Sequence, residues 1–166
     1  MVFFYIQKHI ILKFVSEATI DRIVEEMEAN KDAYQIEDFI DRQPVVLSYL
    51  FSDNFTALSK KEKEYMLFLG VIILAAVYDT EPDILPVAQD TIGHLEDDNW
   101  DVYEHTPEGS FREKLDAFFK DYHQEDLLAF VEDTLMTDSD DLPLSKEAQA
   151  IMFITLKTVI DGLTKN

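Results

Sequence analysis

The sequence predicts an all-α fold, a compact single-domain helical bundle of about six or seven helices around one buried central helix. Three observations carry that expectation. From residue 16 onward apolar side chains recur at steps of three and four, the period of one helix face, with no alternating run of strand type. Serines, some with a glutamate three residues on, stand where such stretches begin, and prolines stand between them. Residues 65–78, from Tyr65 to Tyr78, contain no charge. At 14 residues that run is too short to span a bilayer but fits a helix enclosed by others, and it is expected to be the most buried segment.

The elements follow in order. Met1 to Val15 is apolar and free of acids. It lacks the basic start and small-residue end of a secretory signal, and Gln7-Lys8-His9 interrupts it as a membrane span. Residues 1–15 are therefore set apart as a core element, an amphipathic surface-binding segment, or a translated stretch ahead of the native start. Residues 16–166 form the helical domain. Ser16 caps a first helix with Ile20, Ile23, Val24 and Met27 inward. A second begins near Tyr34 with Ile36, Phe39 and Ile40 inward, and Pro44 makes it kink or restart before the apolar run from Val45 to Phe51. Ser59-x-x-Glu62 is a capping box that opens the central helix.

Pro82 and Pro86 mark the loop into a fourth helix, whose inward side is Val87, Ala88, Ile92, Leu95, Val102 and Tyr103. Pro107-Glu108-Gly109 is a turn, and Ser110-x-x-Glu113 is a second capping box ahead of Phe111, Leu115, Phe118, Phe119 and Tyr122. After a break near His123, Leu127, Leu128, Phe130, Val131 and Leu135 mark a further helix. An acidic linker containing Pro143 leads to Ser145, the cap of a last helix with Ala148, Ile151, Met152, Leu156, Val159, Ile160 and Leu163 inward. Tyr34-Gln35-Ile36-Glu37-Asp38-Phe39 echoes Tyr122-His123-Gln124-Glu125-Asp126-Leu127, as a helical duplication would. Two acidic helix starts resemble one another by chance, and the echo alone does not establish a repeat.

Charge is the sequence's most uneven property. The net charge is −20, and residues 79–141 hold 20 acids against 3 bases. Such a chain repels polyanions, so direct nucleic-acid binding is not expected, and a basic protein surface is the favoured partner. Repulsion within that stretch also predicts that raising salt from low to physiological strength increases the melting temperature at pH 7, because screening shortens its reach to about 8 Å. A thermal melt that is flat or falls with added salt would contradict this.

Chemical templates fail one after another. No cysteine means no disulfide, thiolate zinc site or Cys nucleophile, and the four glycines lie too far apart for a phosphate-binding loop. None of His9, His94, His105 and His123 has a glutamate three residues before it, so the di-iron motif is missing. The calcium-loop-like start at Asp138-Ser139-Asp140-Asp141 has Pro143 where glycine is required and Gln149 where glutamate is required. Asp90, His94, Asp97, Asp101 and His105 share one face of the fourth helix, opposite its apolar stripe, and are read as a solvated row able to bind a metal only loosely. No acid falls clearly on an apolar face, where burial would shift its pKa. Catalysis is therefore not expected, and no cofactor is implied.

What remains is a cytoplasmic protein-interaction module. Trp100, the sole tryptophan, lies at the border of the wet and buried sides of the fourth helix, among Glu96, Asp97, Asp98, Asp101 and Glu104, the last four being its expected partners in the contact. An aromatic anchor ringed by carboxylates suits an incoming Arg or Lys. Two other readings stand beside it: a nucleic-acid mimic that blocks a DNA- or RNA-binding protein, and a metal-assisted hydrolase using exposed carboxylates. Nothing in the sequence fixes an oligomeric state.

Overall fold

Four of the helices start at a serine whose hydroxyl accepts a backbone N–H of the first turn, the local reason that the chain turns helical there. The computed structural model describes residues 12–53, 55–137 and 140–165. Among these it contains eight helices and no strand: α1 Glu17–Ala29, α2 Glu37–Ile40, α3 Pro44–Leu50, α4 Lys60–Thr80, α5 Gln89–His105, α6 Phe111–Phe119, α7 Glu125–Met136 and α8 Lys146–Thr164. The eighth is the single turn α2, split from α3 because Pro44 restarts the chain as the first residue of a new helix. Ser59 and Glu62 close both arms of their capping box. None of the described helices is long and apolar enough to cross a membrane.

α4 is buried at every position from Leu69 to Tyr78, as a charge-free run requires. Its first turns are wetter than expected, with Tyr65 and Leu67 half-buried and Phe68 44% exposed. α8 shares the centre and is the more enclosed of the two, since every residue from Met152 to Thr164 is buried. Its charged and hydroxyl residues disguise it in the sequence as a one-sided helix. Three other inward assignments change. Ile40 is 45% exposed because α2 ends at once after the buried Phe39. On α5 the inner face is Ile92 and Asn99, with Ala88 and Val102 turned to solvent. Tyr122 lies beyond α6, which ends where Lys120 turns extended, and Asp121 between them takes a left-handed φ of 54°. Two glycines sit where other helices' side chains come close. A Cβ on Gly162 would stand 3.1 Å from Ile92 of α5, and one on Gly70 would stand 2.8 Å from Leu50 of α3.

The eight helices form two sets of four on one plan. In each set, an extended segment ending in a buried valine (Val15, Val87) leads into the first helix. A fully buried glutamine (Gln43, Gln124) precedes the third helix, and a serine cap (Ser59, Ser145) opens the long central one. The glutamines join the sets crosswise. Gln43 accepts the Val87 N–H at 2.9 Å and donates to the Leu85 carbonyl at 3.0 Å. Gln124 accepts the Val15 N–H at 3.0 Å and donates to the Lys13 carbonyl at 3.1 Å. Each amide thus ties down the entrance of the other set, with both of its polar atoms satisfied as burial demands. With the glutamines paired, Val46, Leu47 and Leu50 fall on Leu127, Leu128 and Val131, all buried. With the serines paired, Met66 falls on Met152 and Ile73 on Val159. The echo between Tyr34 and Tyr122 is in a different register from this repeat.

Candidate functional site

The two sets agree along their apolar positions and part company in one region. Pairing Ser59 with Ser145 places Val71, Ile72 and Ala75 opposite Lys157, Thr158 and Asp161, and pairing Val15 with Val87 places Met27 opposite Asn99. The first set fills these positions with buried carbon, whereas the second buries a polar cluster. Lys157 is 4% exposed and Asp161 is 1% exposed. One turn apart on α8, they form an ion pair at 2.7 Å. Asn99 of α5 completes a ring, accepting from Lys157 Nζ at 3.0 Å and donating to Asp161 Oδ2 at 3.2 Å and Thr158 Oγ1 at 3.1 Å. Tyr122 donates to Asp161 Oδ1 at 2.6 Å, and Lys165 approaches the same oxygen at 3.3 Å. The Lys157 ammonium also lies 4.7 Å from the Tyr122 ring centroid and 5.5 Å from that of Phe118.

Burial lowers the Lys157 pKa from its ordinary value, with Asp161 pulling the other way. Burial would raise Asp161, but Lys157, Tyr122 and Lys165 together hold its carboxyl below the usual range. Burial, then the adjacent Asp161 carboxylate, raises the Tyr122 phenol far above its usual range. The cluster is therefore a charged pair with its hydrogen bonds satisfied. Among the described residues no buried side-chain nitrogen or oxygen is left without a partner. This corrects the expectation that no acid lies on an apolar face. Glu132 of α7 corrects it a second time, for it is buried beside Arg112 at 3.4 Å, and desolvation raises its pKa.

A groove of about 740 Å³ lies between α3, α5 and α8, lined also by Ser52, Phe55, Thr56 and Ala57. Trp100 and Glu96 come to it from α5, Tyr49 from α3, Phe55 from the loop, and Thr155 from α8. Tyr49 donates its hydroxyl to Glu96 Oε2. Burial, reinforced by Glu96, raises the Tyr49 phenol well above its ordinary value, so the proton stays on the tyrosine. Tyr49 packs edge-on against Phe55 at 5.9 Å, and Trp100 stands edge-on to Tyr103 at 5.8 Å and 89°. Lys114 covers the Tyr103 ring at 4.6 Å. Glu96 is the one charged residue among the described groove-lining residues. This pair bridges the sets, Tyr49 from the first and Glu96 from the second, and its counterpart is apolar: Phe130 and Val24 fall at those positions when the glutamines and the valines are paired.

Trp100 is half-buried against the core, at the border position its spacing predicts. Asp97, Asp98, Asp101 and Glu104 are all exposed. At about 100° per residue, Glu104 and Asp97 lie within about 60° of Trp100, Asp101 about 100° away, and Asp98 about 160° away on the far side of the helix. Asp90, His94, Asp97, Asp101 and His105 stand exposed in a row. His105 Nδ1 bonds the Asp101 carbonyl at 2.7 Å and lies 3.4 Å from its carboxylate, which together raise the imidazole pKa. Among the described residues no group of three or more His, Asp or Glu could hold a metal. Asp138 and Ser139 of the calcium-loop-like start, and residues 1–11 of the N-terminal segment, lie outside the described residues. Leu12 to Val15 is described, and Val15 is buried in the core.

Tyr49 was missed by sequence reasoning because a tyrosine in an apolar run looks ordinary, and Glu96 was read only as one of the carboxylates around Trp100, without its partner. The signal that could have found the pair was the comparison of the two sets, which needs the glutamine landmarks to set the register. Comparison with known protein families, with curated proteins and with solved structures finds no match for this chain.

Proposed function

We propose that the protein is a non-catalytic interaction module that binds a basic partner protein on the face of α5 beside the groove. The observation that carries this reading is the placing of Trp100. The tryptophan is half-buried on a wall of the groove whose one charged lining residue is an acid, and exposed Asp97, Asp101 and Glu104 continue along the adjoining strip of helix. An anchored aromatic with a carboxylate rim divides binding into two jobs. Rim charges speed encounter and make it salt-dependent, while the desolvated aromatic slows dissociation. Asp98 belongs to the surrounding negative field, because it faces away from the groove.

The test is capture from the source organism's extract at low and high salt, with bound proteins identified by mass spectrometry. Wild type should retain a basic protein, and Trp100→Ala should lose it at least tenfold, the loss of a hot-spot aromatic. Asp97→Asn with Asp101→Asn and Glu104→Gln should keep the partner at low salt and release it at lower salt than wild type does. A captured protein that is not basic, or one that Trp100→Ala retains undiminished, would refute the proposal.

A further inference from the structure

We infer that the groove reads an arginine side chain of the partner, with the guanidinium on Glu96 and its plane against Trp100. This rests on the interaction reading above and adds the chemistry of the bound group. Glu96 Oε2 is committed to the Tyr49 hydroxyl, which fixes the carboxylate's orientation and leaves Oε1 as the acceptor for an incoming donor. The groove supplies a carboxylate, aromatic walls from Trp100, Tyr49 and Phe55, and no basic residue among its described lining. Charge complementarity therefore selects a cation. The aromatic walls select its form, because guanidinium is planar, weakly hydrated and stacks on rings, whereas a lysine ammonium keeps its water.

The repeat supplies an independent argument. Val24 of the first set and Phe130 of the second occupy the matching positions, so this architecture does not require an acid and a phenol there. A half-buried carboxylate carries a desolvation cost that an apolar residue avoids, and a cationic ligand offsets that cost. Tyr49 holds Glu96 in place before the ligand arrives, which reduces the ordering needed on binding.

Trp100 is the sole tryptophan, so its fluorescence reports on the groove directly. The probes are end-capped Gly-Arg-Gly, Gly-Lys-Gly and Gly-citrulline-Gly titrated into the whole protein at low salt. The arginine peptide should give a saturable change, the lysine peptide should bind at least fivefold more weakly, and the uncharged citrulline peptide should show no saturation. Glu96→Gln, which keeps an acceptor for Tyr49, should weaken arginine binding about tenfold, as loss of a charge-assisted hydrogen bond does. Glu96→Val with Tyr49→Phe, which copies the Val24 and Phe130 of the matching positions and orphans no hydroxyl, should do the same in a protein that melts at or above the wild-type temperature. Asp98→Asn, on the far side of α5, should change affinity less than twofold. Equal binding of the lysine and arginine peptides, or undiminished binding by Glu96→Gln, overturns the inference. Either result leaves the interaction reading to stand or fall on its own capture experiment with Trp100→Ala.

Discussion

Replacing Lys157 with methionine lowers stability by about 3–5 kcal/mol, and removing the rest of its polar cluster as well restores most of the loss. The single change strands Asp161, which is almost fully buried and would keep only Tyr122, Asn99 and the surface Lys165 as partners. An uncompensated buried charge costs far more than the pair contributes when intact. The first set of helices shows what belongs there without charge. The combined variant carries Asn99→Met, Lys157→Val, Thr158→Ile and Asp161→Ala, with Tyr122→Phe so that its hydroxyl is not orphaned. Its unfolding free energy in urea should lie within about 2 kcal/mol of wild type, or above it, as for other buried ion clusters replaced by carbon. A combined variant as unstable as Lys157→Met would show that the two sets are not interchangeable at their centres.

The other large effect lies in the opposite set. Ile73 on α4 is fully buried and falls opposite Val159 of α8. Ile73→Asp places a charge there without any of the partners that Asp161 has, at a cost of several kcal/mol, on the order of the whole stability of a domain. The variant should lose its cooperative thermal transition and far-ultraviolet helical signal. A soluble Ile73→Asp protein that melts cooperatively would refute the placing of α4 at the centre.

The two predictions together show which parts of the molecule were legible in the sequence. α4 was, because burial on all sides writes itself as an unbroken apolar run, and Ser59, Ser110 and Ser145 announced their helices through capping chemistry that is local. α8 was only half legible. Its Lys157 and Asp161 read as a solvated edge because nothing within the helix reveals that Asn99 and Tyr122 come to meet them from residues about 40–60 positions away in the chain. The same limit applied to α5, where Asn99 turns inward and Val102 outward against their ordinary preferences. The candidate site was legible at Trp100 and the carboxylates around it, but not at Tyr49. Glu96 acquires its character from Tyr49, which comes from another helix 47 residues earlier.

The glutamine at position 124 also imposes an order in time. Val15 stands at the mouth of the first helix, yet the side chain that fastens it lies 109 residues further on. On the ribosome, at roughly 5–20 residues per second, that partner is synthesised on the order of 5–20 s after the valine. Gln43 lies 44 residues ahead of Val87 and is already made when the second entrance emerges. The second four-helix set can therefore be fastened as it is synthesised, while the first is fastened only in retrospect. Until residue 124 is made, the amide at the entrance of the first helix has no glutamine to fasten it, although α4, the helix on which α1 chiefly packs, is already complete.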